Sequence, residues 1–208
     1  NGDNLGLALT NVAVTGGSPS NDWVRFLVYD SANRLITNAG SGGGNNAHLW
    51  GVSGGTFLLI VTPGGGSSGL LQIQNATATL TRDIVGPQLT YGAATTVNLP
   101  RPGQTERLTF TANAGDTVTF VANAVSTTPA NNTVYYTIYR PDGGQLTSLS
   151  ASSPTTWNLE NLPDSGTYMV ITNASWGLPN TSQLTLLHGV IDTMTVDGPS
   201  KSYATAVG

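Results

Sequence analysis

Side chains able to do chemistry are few and scattered in this chain of 208 residues, which carries two histidines, eleven carboxylates, seven Lys and Arg, and no cysteine. A metal centre gathers several His, Cys or carboxylate ligands at short spacings. His48 and His188 stand alone, so each is expected to be an ordinary strand-edge residue. Asp3, Asp116, Asp142, Asp164 and Asp197 sit beside turn-forming residues, where a carboxylate accepts hydrogen bonds from its own backbone. That role competes with paired acid and base carboxylates of glycoside hydrolysis. Loop aspartates and carbonyls leave a structural calcium site open, but the Asp-x-Asp-x-Asp-Gly loop that would announce one is missing. No Gly-x-Ser-x-Gly motif stands at a strand-to-helix turn. Gly40–Gly44 and Gly64–Gly69 lack the P-loop lysine and open no helix. The sequence therefore predicts no catalysis and no cofactor.

Aromatic side chains offer more. If Val24, Phe26 and Val28 face a core, the period of two along a strand puts Trp23, Arg25, Leu27 and Tyr29 on the opposite face. The same parity sends Tyr135 and Tyr139 outward with Thr133 and Thr137, and Trp176 falls in the loop context Asn173-Ala-Ser-Trp-Gly177. Exposed aromatic faces stack on sugar rings, which makes Trp23, Tyr29, Tyr135, Tyr139 and Trp176 the candidate carbohydrate-binding residues. The competing reading is packing, because Trp and Tyr are favoured on sheets for that reason too.

The elements that must position these residues are strands. Charged residues make up only 9% of the chain, against about 25% in ordinary domains. Gly, Thr, Asn and Ser take their place, and these disfavour helices. Thirty-eight per cent hydrophobic residues suffice for a buried core. With a net charge of −4 and scattered arginines, the electrostatic footprint of nucleic-acid binding is missing. No apolar run approaches the about 18 residues of a membrane span. A surface with one lysine, Lys201, points to an extracellular or cell-surface setting.

The most informative feature is internal similarity. Pro19–Asp30 aligns with Pro129–Arg140 without gaps at an offset of 110. Asn1-Gly-Asp3 corresponds to Ala114-Gly-Asp116, Leu49 and Val52 to Leu159 and Leu162, Gly55-Thr-Phe57 to Gly166-Thr-Tyr168, and Leu70–Ile73 to Leu184–Leu187. Each copy reads as short strands between turns, the pattern of a sandwich. In the second copy the strands fall at Thr105–Thr111, Thr117–Ala122, Val134–Tyr139, Thr155–Leu159, Gly166–Thr172 and Ser182–His188. The fold expected is all-β, with two tandem jelly-roll-like β-sandwich domains of antiparallel sheets.

Gly115-Asp116, Tyr139-Arg-Pro-Asp-Gly143 and Leu162-Pro-Asp-Ser-Gly-Thr-Tyr168 resemble the bacterial pre-peptidase C-terminal type of β-sandwich. The chain is similar, too, to the tandem sandwich repeats of large bacterial surface and RHS-type proteins. The resemblance covers most of residues 103–190 and, more weakly, 1–88. It implies a secreted, accessory, non-catalytic module. The first copy departs from it with Asp30-Ser-Ala-Asn33 for Pro-Asp-Gly and Val52-Ser-Gly-Gly for Leu-Pro-Asp-Ser-Gly.

The expected organisation is a first sandwich over 1–88, a joining segment over 89–102, a second sandwich over 103–192 and a tail over 193–208. The second copy has an apolar strand, Leu108–Phe110, ahead of Gly115-Asp116, with no counterpart ahead of Gly2-Asp3. Val196–Ala206 resembles Leu89–Pro100. Two explanations follow: a piece of a longer array, or an open sheet edge in the first copy filled by a strand from another molecule. In the second, Thr193, Val196, Tyr203 and Val207 would serve assembly, and the partner is the chain itself or a neighbouring repeat. The function expected is that of a structural or adhesive unit, with a carbohydrate-binding module, hence a polysaccharide partner, as the alternative.

Overall fold

In the computed structural model, residues 3–15, 23–41, 45–52, 55–64, 72–189 and 195–202 are described. The chain is all-β, with sheets that are antiparallel but for the strand Ile84–Gln88, as two β-sandwich domains require. Strands are β1 (Asp3–Thr15), β2 (Trp23–Tyr29), β3 (Leu35–Ser41), β4 (Asn45–Val52), β5 (Leu58–Gly64), β6 (Gln72–Arg82), β7 (Ile84–Gln88), β8 (Ala94–Leu99), β9 (Glu106–Ala112), β10 (Val118–Thr127), β11 (Val134–Tyr139), β12 (Gln145–Ala151), β13 (Thr155–Leu159), β14 (Gly166–Ala174) and β15 (Asn180–His188). By compactness, Asn1–Ile84 forms one unit with Leu99–Thr105 and Ser175–Pro179, and the remainder forms the other.

The first unit pairs a sheet ordered β4-β1-β6 with one ordered β3-β2-β5. Strict alternation along β2 buries Val24, Phe26 and Val28, which meet Leu7, Leu9, Ala47 and Leu49 of the other sheet in one apolar cluster. The second unit repeats both orders as β13-β10-β15 and β12-β11-β14, then extends them: β8 is added beside β15, and β9 and β7 beside β14. Its core joins the sheets through Phe120, Tyr136 and Trp157, whose ring centroids lie 5.7 to 6.1 Å apart. β7 lies parallel to β9, since the Ile84 N–H to Thr105 O bond (2.8 Å) and the Leu89 N–H to Thr109 O bond (2.7 Å) advance together.

Finer features coincide as well. The β1–β6 register shifts between Thr10 and Ala13, around Asn11 at φ 53°, and β10–β15 shifts between Asn123 and Ser126, around Ala124 at φ 49°. These are bulges of one extra residue turned into the left-handed region. The departures at Asp30–Asn33 keep the second copy's turn. Asp30 N–H donates to Arg34 O and Asn33 N–H to Asp30 O, just as Arg140 N–H donates to Gly144 O and Gly143 N–H to Arg140 O. Asn33 at φ 60° takes the place of Gly143 at φ 86° because Asn tolerates that conformation.

One sequence match is corrected. Leu7 pairs with Leu80 where Phe120 pairs with Leu186, and Leu9 pairs with Ala78 where Ala122 pairs with Leu184. Leu184 thus corresponds to Ala78 and not to Leu70; Leu70 and Leu71 lie outside the described residues. The conspicuous Leu-Leu run outweighed a strand, β6, whose own residues are mostly polar. Strands over 134–139 and 155–159 form where expected. β7, β8 and β12 carried too little periodicity to be read.

Candidate functional site

The outward face of β3-β2-β5 takes Trp23, Arg25, Leu27 and Tyr29 from β2, as strand parity requires. Cross-strand pairing sets Tyr29 between Leu35 and Leu58, Leu27 between Asn38 and Ile60, and Arg25 beside Thr62. Leu35, Leu58, Ile60 and Trp23 are all exposed, so this face is apolar and open to water. The corresponding face of the second unit sets Met169 and Ile171 of β14 among more polar residues. Tyr135 and Tyr139 point outward there, beside Ser150 and Gln145 of β12, and the Thr137 and Ser148 hydroxyls lie 3.4 Å apart. Trp23 and Tyr29 are six positions apart along β2, and Tyr135 and Tyr139 lie on the outward face of β11 in the other unit.

Trp176 sits in a single 3-10 turn, Ser175–Gly177, with φ 60° and ψ 12°. A bulky residue in the left-handed region is strained, and its indole is 52% exposed. In the tail, Val196 is 94% exposed, while Thr193, Tyr203 and Val207 lie outside the described residues.

A second exposure was not legible in the sequence. Among the described residues, nothing further pairs with β5 or β6 on the side of the first unit that they bound. Leu80 faces inward opposite Leu7 yet is 45% exposed, whereas its counterpart Leu186 is fully buried beside β8. Phe57 and Leu59 are half-buried, whereas Tyr168 and Val170 are fully buried beneath β9. Exposed Leu58 and Ile60 match Met169 and Ile171, of which Ile171 is buried and Met169 partly buried. Within the second unit there is also a cleft of about 350 Å³ between β12 and β13, walled by Trp157, Leu146, Leu149 and Leu162 and rimmed by Asn158, Glu160 and Asn161.

Charged groups are mostly engaged locally. Asp116 accepts from Asn113 N–H (2.7 Å), Asp142 from Gly144 N–H (2.7 Å) and Asp30 from Ala32 and Arg34 N–H (2.9 Å each). Arg140 reaches Asp142 at 3.7 Å and Asp164 at 3.9 Å. Burial holds His48 below its ordinary value, and nearby Asp83 opposes the shift. Glu106, buried at the start of β9, is pushed up by burial, partly offset by a hydrogen bond from the Asn98 backbone. Tyr136 is pushed up to about 12 by burial, with the nearby Ser182 hydroxyl opposing the shift. His188 stacks on Tyr91 with centroids 3.7 Å apart. Among the described residues, no three His, Asp or Glu side chains gather as metal ligands would.

No family model matches the chain, and no curated protein does. Among solved structures it is similar over half its length to a pre-peptidase C-terminal domain of collagenase from Bacillus anthracis, at 10% identity and a TM-score of 0.38, covering 95% of that chain. It is also similar to PliG of Aeromonas hydrophila, a periplasmic inhibitor of g-type lysozyme, at 16% identity and a TM-score of 0.35, covering 50% of this chain and 98% of that one. FlgD from P. aeruginosa matches 48% of this chain and 78% of its own at 12% identity and a TM-score of 0.28. Likeness at this level defines no family and assigns no activity.

Proposed function

We propose that the chain is a non-catalytic structural or adhesive module of an extracellular or cell-surface assembly, built of sandwich units like those of large bacterial surface proteins, and that its first unit engages neighbouring copies. The observation that carries this reading is the contrast between the units. Apolar residues are buried in the second at the positions of Phe57, Leu59, Leu80 and Ile60, whereas in the first Phe57 and Leu59 are only half-buried and Leu80 and Ile60 are exposed. Exposed apolar surface of this kind marks interaction sites. The low charge of the chain and its wealth of Asn, Thr and Gly suit close contact between copies.

Light scattering over a range of concentrations, with electron microscopy, tests the proposal. Multimers are expected. Removing 193–208 should abolish them if the tail is the donated strand, and unchanged assembly removes the tail from that role. A chain that stays monomeric at every concentration overturns the assembly reading.

The second reading is a carbohydrate-binding module, favoured by the Trp157 cleft and by the outward Trp23 and Trp176. It predicts a monomer retarded on a polysaccharide gel, with retardation weakened by Trp23→Ala or Trp176→Ala. Equal mobility with and without polysaccharide rejects it.

A further inference from the structure

The second unit holds a template for what the first unit lacks. β14 is flanked by β11 on one side and by β9 on the other. Register along β9 sets Phe110 opposite Tyr168, Leu108 opposite Val170 and Glu106 opposite Thr172. Phe110 stacks on Tyr168 with centroids 5.1 Å apart, and both Phe110 and Leu108 are fully buried. Between them Thr109 and Arg107 face outward beside Met169 and Ile171. β9 thus contributes two things to β14: backbone hydrogen bonds, and a pair of large apolar side chains two residues apart that roof Tyr168 and Val170.

β5 corresponds to β14 residue by residue. Tyr29 pairs with Leu58 where Tyr139 pairs with Met169, and Val28 pairs with Leu59 where Ile138 pairs with Val170. Among the described residues β5 has one strand neighbour, β2. Its inward residues Leu59 and Val61, with Phe57 just ahead of the strand, are the counterparts of Val170, Thr172 and Tyr168, and each is only partly buried although it packs against the core cluster. An exposed sheet edge offers a row of backbone donors and acceptors, and here the edge adjoins an incompletely roofed core.

From this we infer that β5 is an acceptor edge for one further strand, running antiparallel to it and carrying the pattern of β9: large apolar residues at two alternate positions, set opposite Phe57 and Leu59, with Thr or another small polar residue between them. The occupant is an extended segment of a partner with that alternation. Main-chain bonds to β5 supply affinity, and the alternate apolar side chains over Phe57, Leu59 and Leu80 supply selectivity. The inference rests on the proposed reading of this side as an assembly surface and names the chemistry that side selects.

The test uses the whole chain and a labelled synthetic peptide with the sequence of residues 105–112, TERLTFTA. Fluorescence anisotropy should show saturable binding, and hydrogen exchange should show new protection at the amides of 58–63. Successive N–H groups of a strand point to opposite sides. Of two peptides N-methylated on alternate residues, the one whose methyl groups face β5 should bind at least about tenfold more weakly, and the other should keep its affinity. A peptide in which Leu and Phe are each exchanged with the neighbouring Thr should also fail. No saturable binding, equal loss with both methylation patterns, or protection outside β5 overturns the inference. Multimers that excess peptide leaves intact also overturn it while sparing the assembly reading. Binding to a chain that never forms multimers supports the acceptor edge and removes self-assembly.

Discussion

The first unit leaves Phe57 and Leu59 half in water, while the second sinks Tyr168 and Val170 out of reach of it, although the six strands that frame them follow the same order in both. The difference is three strands. β8 widens one sheet of the second unit, and β9 with β7 widens the other, so that inward residues at the margin have neighbours on both sides. In the first unit β5 and β6 are the margin. What a side chain contributes to stability is thus set by whether its strand is central or terminal, and not by its type: Leu80 and Leu186 are the same residue at matched positions, 45% exposed in one unit and fully buried in the other.

The sharpest way to break that comparison is to cut one large side chain from each unit. Phe110→Ala removes a wholly buried ring stacked on Tyr168 and should cost about 3–5 kcal/mol. Phe57→Ala removes a ring already partly hydrated, and its cost should be roughly half as large, since the transfer contribution scales with the area withdrawn from water. Calorimetry with exchange-resolved amides, read separately in Leu7–Leu9 and in Leu108–Phe110, checks this. Equal losses would mean that the exposed margin of the first unit is filled in solution.

Alternation was enough to read β2, β11 and β14 and to send Trp23, Tyr29, Tyr135 and Tyr139 outward, because a strand with one buried face writes its parity into the sequence. It failed for β6, where Ala78 and Leu80 alternate with Thr but too little else is apolar, and for β7 and β8, whose role depends on which strands they lie beside. The open side between β5 and β6 was beyond sequence reasoning for a related reason. Phe57, Leu59 and Leu80 have the types and spacing of core residues; only the absence of a covering strand in the described structure exposes them. The Asp30–Asn33 turn was hard to recognise because the residue that matters, Asn33, shares with Gly143 a backbone conformation and not a side chain.

A smaller effect is expected from the corner at Tyr168. Its hydroxyl donates to Asp164 O (2.8 Å) and accepts from Asp164 N–H (3.1 Å), which pins the Pro163–Ser165 loop to β14. Tyr168→Phe should cost about 1–2 kcal/mol, measured by denaturant unfolding. The first unit already has Phe57 at this position. Phe57→Tyr should therefore yield no comparable gain, because the Leu-Pro-Asp-Ser-Gly loop that would receive the hydroxyl is replaced there by Val52-Ser-Gly-Gly.

Acidity should separate the units by sign. Glu106 is raised above its ordinary value of 4.5, so the folded second unit binds its proton more tightly than the unfolded chain does; its stability falls as pH rises from 4.5 through the raised value. His48 is lowered from 6.5, so the unfolded chain takes up its proton first; the stability of the first unit falls as pH drops below 6.5 toward the lowered value. Hydrogen exchange between pH 4.5 and 6.5 should show opposite slopes at amides of the two units. Glu106→Gln should flatten the slope in the second unit and leave the first unchanged. Slopes of the same sign would show that other groups govern both.

The smallest expected effect sits at the matched bulges. Asn11 and Ala124 hold the same left-handed backbone, at φ 53° and 49°. Asn relieves that conformation by local hydrogen bonding, and Ala has no such means and keeps its Cβ crowded against the carbonyl. Ala124→Gly removes the clash and loosens the unfolded chain at the same time, so the two contributions oppose each other. Because the native strain at a positive φ is the larger of them, the variant should be more stable by up to about 1 kcal/mol. Asn11→Gly should change stability by only a few tenths of that figure. The pair of thermal midpoints decides it: a loss on Ala124→Gly would mean that the bulge of β10 is held without strain and that the resemblance between the bulges ends at their position in the register.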